Sequence, residues 1–75
     1  MANVTGSRAK ALTVNGESRE VAAAATLAEA LAALGYEGAI VATALNGEFV
    51  PERKRAATPL AEGDRIEIVA PRQGG

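Results

Sequence analysis

Cysteine and histidine are both missing from this sequence. Without cysteine there is no disulfide framework, no thiolate metal site and no thiol nucleophile. Without histidine the Ser-His and Cys-His pairings of nucleophilic catalysis are unavailable, and the two absences together remove nearly every zinc site. Carboxylates remain, but a site built from carboxylates alone would be unusual in so small a domain. The sequence therefore reads as a non-enzyme, with no metal and no bound cofactor. Aromatic residues are limited to Tyr36 and Phe49. The charges are interspersed, eight basic against nine acidic, for a net charge of -1. A nucleic-acid partner normally calls for a basic excess or for stacking aromatics, so none is expected. No apolar run approaches the ~20 residues that span a membrane. The N-terminus has no hydrophobic stretch of the signal-peptide kind, so a cytoplasmic location is expected.

What is present suits one domain, since the chain has 75 residues. A chain this short buries only roughly 60% of the surface that its unfolded form exposes, which leaves a thin stability margin. Hydrophobic residues make up 48%, but many are alanine. The core candidates are Leu12, Val14, Val21, Leu27, Leu31, Leu34, Val41, Leu45, Phe49, Val50, Leu60, Ile66, Ile68 and Val69. Residues 1–9 are small and polar and read as a flexible leader. Residues 10–70 carry the fold, and residues 71–75 read as a flexible tail ending in Gly-Gly.

Lys10 to Val14 alternates, with Leu12 and Val14 on one face, and Asn15-Gly16 follows. Asn-Gly is a strong hairpin signal because both turn residues tolerate positive φ. Ser18 to Val21 is the expected return strand. Thr26-Leu27-Ala28-Glu29 matches a capping box, with the Thr26 hydroxyl accepting from the Glu29 amide and the Glu29 carboxylate reaching back. Leu27, Ala30, Leu31 and Leu34 then form one helical stripe, and Gly35 suits the left-handed position that ends a helix. Ile40 to Leu45 reads as a strand, Asn46-Gly47 as a second turn, and Glu48 to Val50 as a short strand stopped by Pro51. Glu52 to Thr58 is charged and irregular, with room for a helical turn. Leu60 is a lone apolar anchor. Glu62-Gly63-Asp64 reads as a turn rather than a metal or phosphate loop. Arg65 to Val69 alternates and is stopped by Pro71.

The order ββαβββ implies one main helix packed across one face of a mixed sheet. The simplest closed arrangement sets the last strand in the middle, parallel to the first, which is the α+β β-grasp fold. The opposite face would carry Thr13, Ala42, Ala44, Arg65, Glu67 and Val69 and is free for a partner. The domain is expected to be a monomer when free.

The Gly74-Gly75 pair adds chemistry to that pattern. A carboxylate becomes an electrophile once its oxygen is made a good leaving group, and adenylation by ATP does this. The activated carbon must then reach a nucleophile inside a partner. Residues without Cβ thread a narrow channel, so Gly75 is the candidate attachment point, with Gly74, Gln73 and Arg72 threading behind it. Pro71 favours an extended approach. The Arg53-Lys54-Arg55 cluster reads as a solvated loop, with contact to an acidic partner or a phosphate as the alternative.

Ala44-Leu45-Asn46-Gly47-Glu48-Phe49-Val50-Pro51, Thr58-Pro59-Leu60, Glu62-Gly63-Asp64-Arg65-Ile66-Glu67-Ile68 and the final Gly74-Gly75 together resemble the ThiS family, the sulfur carriers of thiamine biosynthesis. The resemblance runs from about Ala11 to Gly75. It implies a ubiquitin-like β-grasp and a carrier role. A ubiquitin-activating-type adenylating enzyme, which uses the ATP, would activate the Gly75 carboxylate. A sulfur donor protein would convert it to a thiocarboxylate, and thiazole synthase would consume that sulfur. The chain departs from the family in its longer N-terminus and in Pro71-Arg72-Gln73, where small apolar residues are frequent. It also lacks a tryptophan that many members carry near Glu52 to Arg55. The small sulfur-carrier subunit of molybdopterin synthase, a ubiquitin-like modifier and a plain binding module are the alternatives.

Overall fold

A computed structural model describes residues 9–22 and 24–70. The leader, apart from Ala9, and the tail lie outside the described residues. Strands β1 (Lys10–Val14) and β2 (Glu17–Val21) form the first hairpin. Asn15 and Gly16 have φ of 50° and 84°. That left-handed pair twists the turn in the same sense as the strands. Helix α1 covers Leu27–Ala33. Its Thr26 hydroxyl accepts from the Glu29 amide at 3.2 Å, and the Glu29 carboxylate accepts from the Ala25 amide at 2.7 Å. At the other end Gly35 has φ of 94°. The Gly35 and Tyr36 amides donate to the Ala32 and Leu31 carbonyls at 3.1 and 2.8 Å. Carbonyls that the helix would leave unpaired are thereby satisfied.

Strands β3 (Ala42–Leu45) and β4 (Glu48–Val50) form a second hairpin through Asn46-Gly47. A 3-10 helix over Glu52–Ala57 follows, and then β5 (Arg65–Val69). The sheet order is β2-β1-β5-β3-β4. Strand β5 is central, parallel to β1 and antiparallel to β3. This is the α+β β-grasp expected from the element order. Among the described residues no helix is long and apolar enough to cross a membrane.

The core lies between α1 and one face of the sheet. Leu27, Ala30 and Leu31 of the helix meet Leu12, Val14, Ile66 and Ile68 of the two middle strands. Leu60 is buried as expected. Its amide donates to the Ala25 carbonyl and the Leu27 amide donates to the Thr58 carbonyl, tying the last connection to the entry of α1.

Three expectations require correction. The third strand begins at Ala42, not Ile40, because β5 ends at Val69 and pairs it with Ala42. Residues before Ala42 have no β5 partner, and Ile40 is 81% exposed. Phe49 and Val69 are not core residues, being 70% and 62% exposed. Both lie on the face that the helix leaves open. Conversely, Thr43 and Ala24 are buried and were not among the core candidates. Thr43 tolerates burial because its hydroxyl donates to the Val50 carbonyl at 2.8 Å.

Candidate functional site

Gly75, Gly74, Gln73 and Arg72 lie outside the described residues, so the structure bears on the strand that leads to them. Strand β5 is held on both sides, by β1 along its first half and by β3 along its length. A strand held on both sides is the firmest part of a small sheet, and β5 has backbone partners on both sides over its first half. Six residues follow Val69, the last of them Gly75. Fully extended, they reach at most roughly 20 Å.

The open face is built by strand alternation. Directly paired residues in an antiparallel sheet share a face. Ala42 pairs with Val69, Ala44 pairs with both Glu67 and Phe49, and in the parallel pair Thr13 lies beside Arg65. Ala42, Arg65, Glu67 and Val69 are exposed, while Thr13 and Ala44 are half-buried. The structure thus brings together the residues expected to face a partner. It adds Phe49, which the sequence reading had assigned to the core. The signal was available: a two-residue turn at Asn46-Gly47 pairs Leu45 with Glu48, and hence Ala44 with Phe49. Phe49, Ala44, Ala42 and Val69 form an apolar strip across three strands. It includes Val69, the last residue of the strand that leads to the tail. Arg65 and Glu67 lie beside it on β5 and add charge of both signs.

The basic cluster divides in two. Arg53 and Lys54 are exposed on the 3-10 helix. Arg55 turns inward, donating from Nε to the Thr43 hydroxyl at 3.1 Å and from Nη2 to the Val41 carbonyl at 2.7 Å. It therefore pins the 3-10 helix to β3. A cleft lies beside this contact, lined among others by Leu31, Tyr36, Ile40, Val41 and Glu52. Glu62-Gly63-Asp64 is a turn. The Gly63 amide donates to the Ala11 carbonyl at 2.8 Å, and the Asp64 carboxylate accepts from the Ala61 amide at 2.8 Å. Among the described residues no group of three or more His, Cys, Asp or Glu is placed to hold a metal ion.

Comparison with known proteins extends the reading through the tail. Residues 12–75 match the ThiS family, which takes in every open-face residue and the terminal glycines. A crystal structure of thiamine biosynthesis protein ThiS from Geobacter metallireducens superposes with a TM-score of 0.72 and 35% identity. It covers 87% of this chain and 99% of that one. A thiazole synthase of Paramagnetospirillum magneticum is 39% identical over 64 residues, which are 85% of this chain and 20% of that protein. This chain therefore spans about a fifth of the length of that relative.

Proposed function

This chain belongs to the ThiS family, and on that premise we propose that it is the sulfur carrier for thiazole formation in thiamine biosynthesis, working through the carboxylate of Gly75. The observation that carries the proposal is the continuity of the family match from the sheet through Gly74-Gly75. The carboxylate oxygen of Gly75 attacks the α-phosphorus of ATP in the partner adenylating enzyme, and pyrophosphate leaves. A sulfur nucleophile from the donor protein attacks the resulting acyl carbon, and AMP leaves. With a persulfide as that nucleophile, a thiol reductant then cleaves the S–S bond of the acyl disulfide, leaving Gly75 as a thiocarboxylate and the donor's sulfur in a new disulfide with the reductant. The carrier contributes an address and a tether, while the catalytic groups belong to its partners. That division suits a chain with neither cysteine nor histidine.

Thiazole synthase is the proposed consumer of the sulfur. In the Paramagnetospirillum relative, a segment resembling this chain occupies a fifth of a protein named for that activity. A carrier-like segment within the thiazole synthase polypeptide supports the two meeting as partners when they are separate. The open face supplies the docking surface, with Phe49, Ala42, Ala44 and Val69 as its apolar part and Arg65 and Glu67 beside them.

Intact mass spectrometry tests the carrier role. The protein is incubated with ATP, a sulfur source and the cognate adenylating enzyme. The expected result is a mass gain of one sulfur in place of one oxygen, absent when Gly75 is deleted. Adding thiazole synthase and its substrates should return the original mass. Return of the mass only with the large subunit of molybdopterin synthase would assign the carrier to that pathway instead. No gain with an active enzyme would reject the role.

A further inference from the structure

The two Asn-Gly turns do more than reverse the chain, and they act on opposite ends of the same strand. At the start of β5, the Asn46 carboxamide oxygen accepts from the Arg65 amide at 2.8 Å, and its nitrogen donates to the Asp64 carboxylate at 3.0 Å. Near the end of β5, the Asn15 carboxamide oxygen accepts from the Ile68 amide at 2.8 Å, and its nitrogen donates to the Ile68 carbonyl at 3.1 Å.

The second arrangement has a particular geometry. Along β1 the parallel ladder to β5 runs through the Thr13 amide to Asp64 and the Asn15 amide to Ile66, at 3.0 and 2.9 Å. Beyond that point the chain turns away through Gly16 into β2. No β1 backbone remains to pair with Ile68. The Asn15 side chain, an amide with one donor and one acceptor on the same edge, takes the place of the missing peptide group. It prolongs the ladder by one step, to within two residues of Ala70.

We infer that Asn15 is a positioning residue for the carrier reaction, holding Ile68 in the sheet so that the tail leaves from a fixed point and in a fixed direction. This rests on the carrier reading above. Docking the open face and threading the tail must be satisfied together. A direction change of roughly 20° at the base displaces the end of a 20 Å tail by roughly 7 Å. A frayed base also adds residues that must be ordered on binding, which weakens association.

The test compares Asn15→Gly with Asn46→Gly. Glycine keeps the positive φ of either turn and leaves its backbone bonds in place, so each variant loses a carboxamide and two hydrogen bonds. Hydrogen exchange at the Ile68 amide should rise about tenfold in Asn15→Gly relative to Asn46→Gly, the factor expected for one lost bond. In the adenylation assay, Asn15→Gly should raise the KM for the carrier roughly fivefold or more, with kcat within about twofold. Asn46→Gly should leave both near the parent values. Asn15→Asp replaces Asn15→Gly should that variant not fold: it keeps the turn and the acceptor for the Ile68 amide but sets a carboxylate oxygen against the Ile68 carbonyl, so KM alone is read there, with the same rise expected. Equal KM in the two variants, or unchanged exchange at Ile68, would overturn the positioning role. A parent protein that accepts no sulfur would overturn the carrier reading on which it rests.

Discussion

The two faces of the sheet share every strand and have opposite fates. On β5, Ile66 and Ile68 turn toward α1 and are buried, while Arg65, Glu67 and Val69 turn away and are exposed. On β3 and β4, Thr43 and Val50 turn in, and Ala42 and Phe49 turn out. One helix covers one face only, so residues of one parity carry the stability and those of the other are available to a partner. In a domain this small, the division lets the exposed face change without cost to the core. It also explains an exposed phenylalanine in a chain with only two aromatics.

The sharpest way to break this comparison is to truncate both faces of one strand. Ile66 is fully buried. Ile66→Ala should cost about 2–5 kcal/mol, from lost transfer free energy and the cavity left behind. A domain of this size has a total stability of roughly 4–11 kcal/mol, so much of the margin goes. Val69→Ala, three residues along on the exposed face, should stay within about 0.5 kcal/mol. Thermal or urea unfolding measures both. Similar losses in the two would mean that the open face is not open.

The converse test weakens the partner without touching the fold. Phe49→Ser should leave the unfolding midpoint nearly unchanged. It should lower affinity for the adenylating enzyme or thiazole synthase about tenfold or more, as removal of a central aromatic anchor commonly does. Binding by calorimetry or surface resonance gives the number. Unchanged affinity for both partners would remove the open face as the docking surface.

Much of this division was legible in the residues. Alternation in Arg65 to Val69, the two Asn-Gly turns, the capping box at Thr26 and the glycine at 35 are local signals, and each acts through contacts a few residues apart. The central, parallel placement of β5 followed from the element order. Phe49 was misread as core because hydrophobicity alone does not say which face a side chain occupies, and Val69 stood among the core candidates although its own alternation put it, correctly, on the open face. For Phe49 the pairing register across the turn decides it. Ile40 was misread because the start of β3 depends on where β5 stops, which is a tertiary fact. Ala24 is buried in the same core cluster as Leu60, whose amide donates to the neighbouring Ala25 carbonyl, a contact between segments far apart in the chain. The Gly74-Gly75 terminus was legible as residue types and order, and it falls within the ThiS family match while lying outside the described residues.

Thr43 marks a smaller exception to the comparison, a polar residue on the apolar face. Its hydroxyl bridges the Val50 carbonyl of β4 and the Nε of Arg55 on the 3-10 helix. Arg55 also reaches the Val41 carbonyl, so the group joins three consecutive parts of the chain. Neither role could be read from a threonine in a run of alanines, or from an arginine in a basic cluster. Thr43→Val preserves shape but leaves the Arg55 Nε without that acceptor and the Val50 carbonyl without that donor. The loss should be about 1 kcal/mol, near the low end for a buried pair because half-buried Arg55 can still meet water. Thr43→Ser restores the oxygen and should recover much of it. Adenylation kinetics measured well below the unfolding midpoint should not change in either variant, because Thr43 faces the core and Arg55 is engaged with its own chain. A kinetic loss in Thr43→Val that Thr43→Ser rescues would instead place the 3-10 helix in the partner interface and blur the boundary between the two faces.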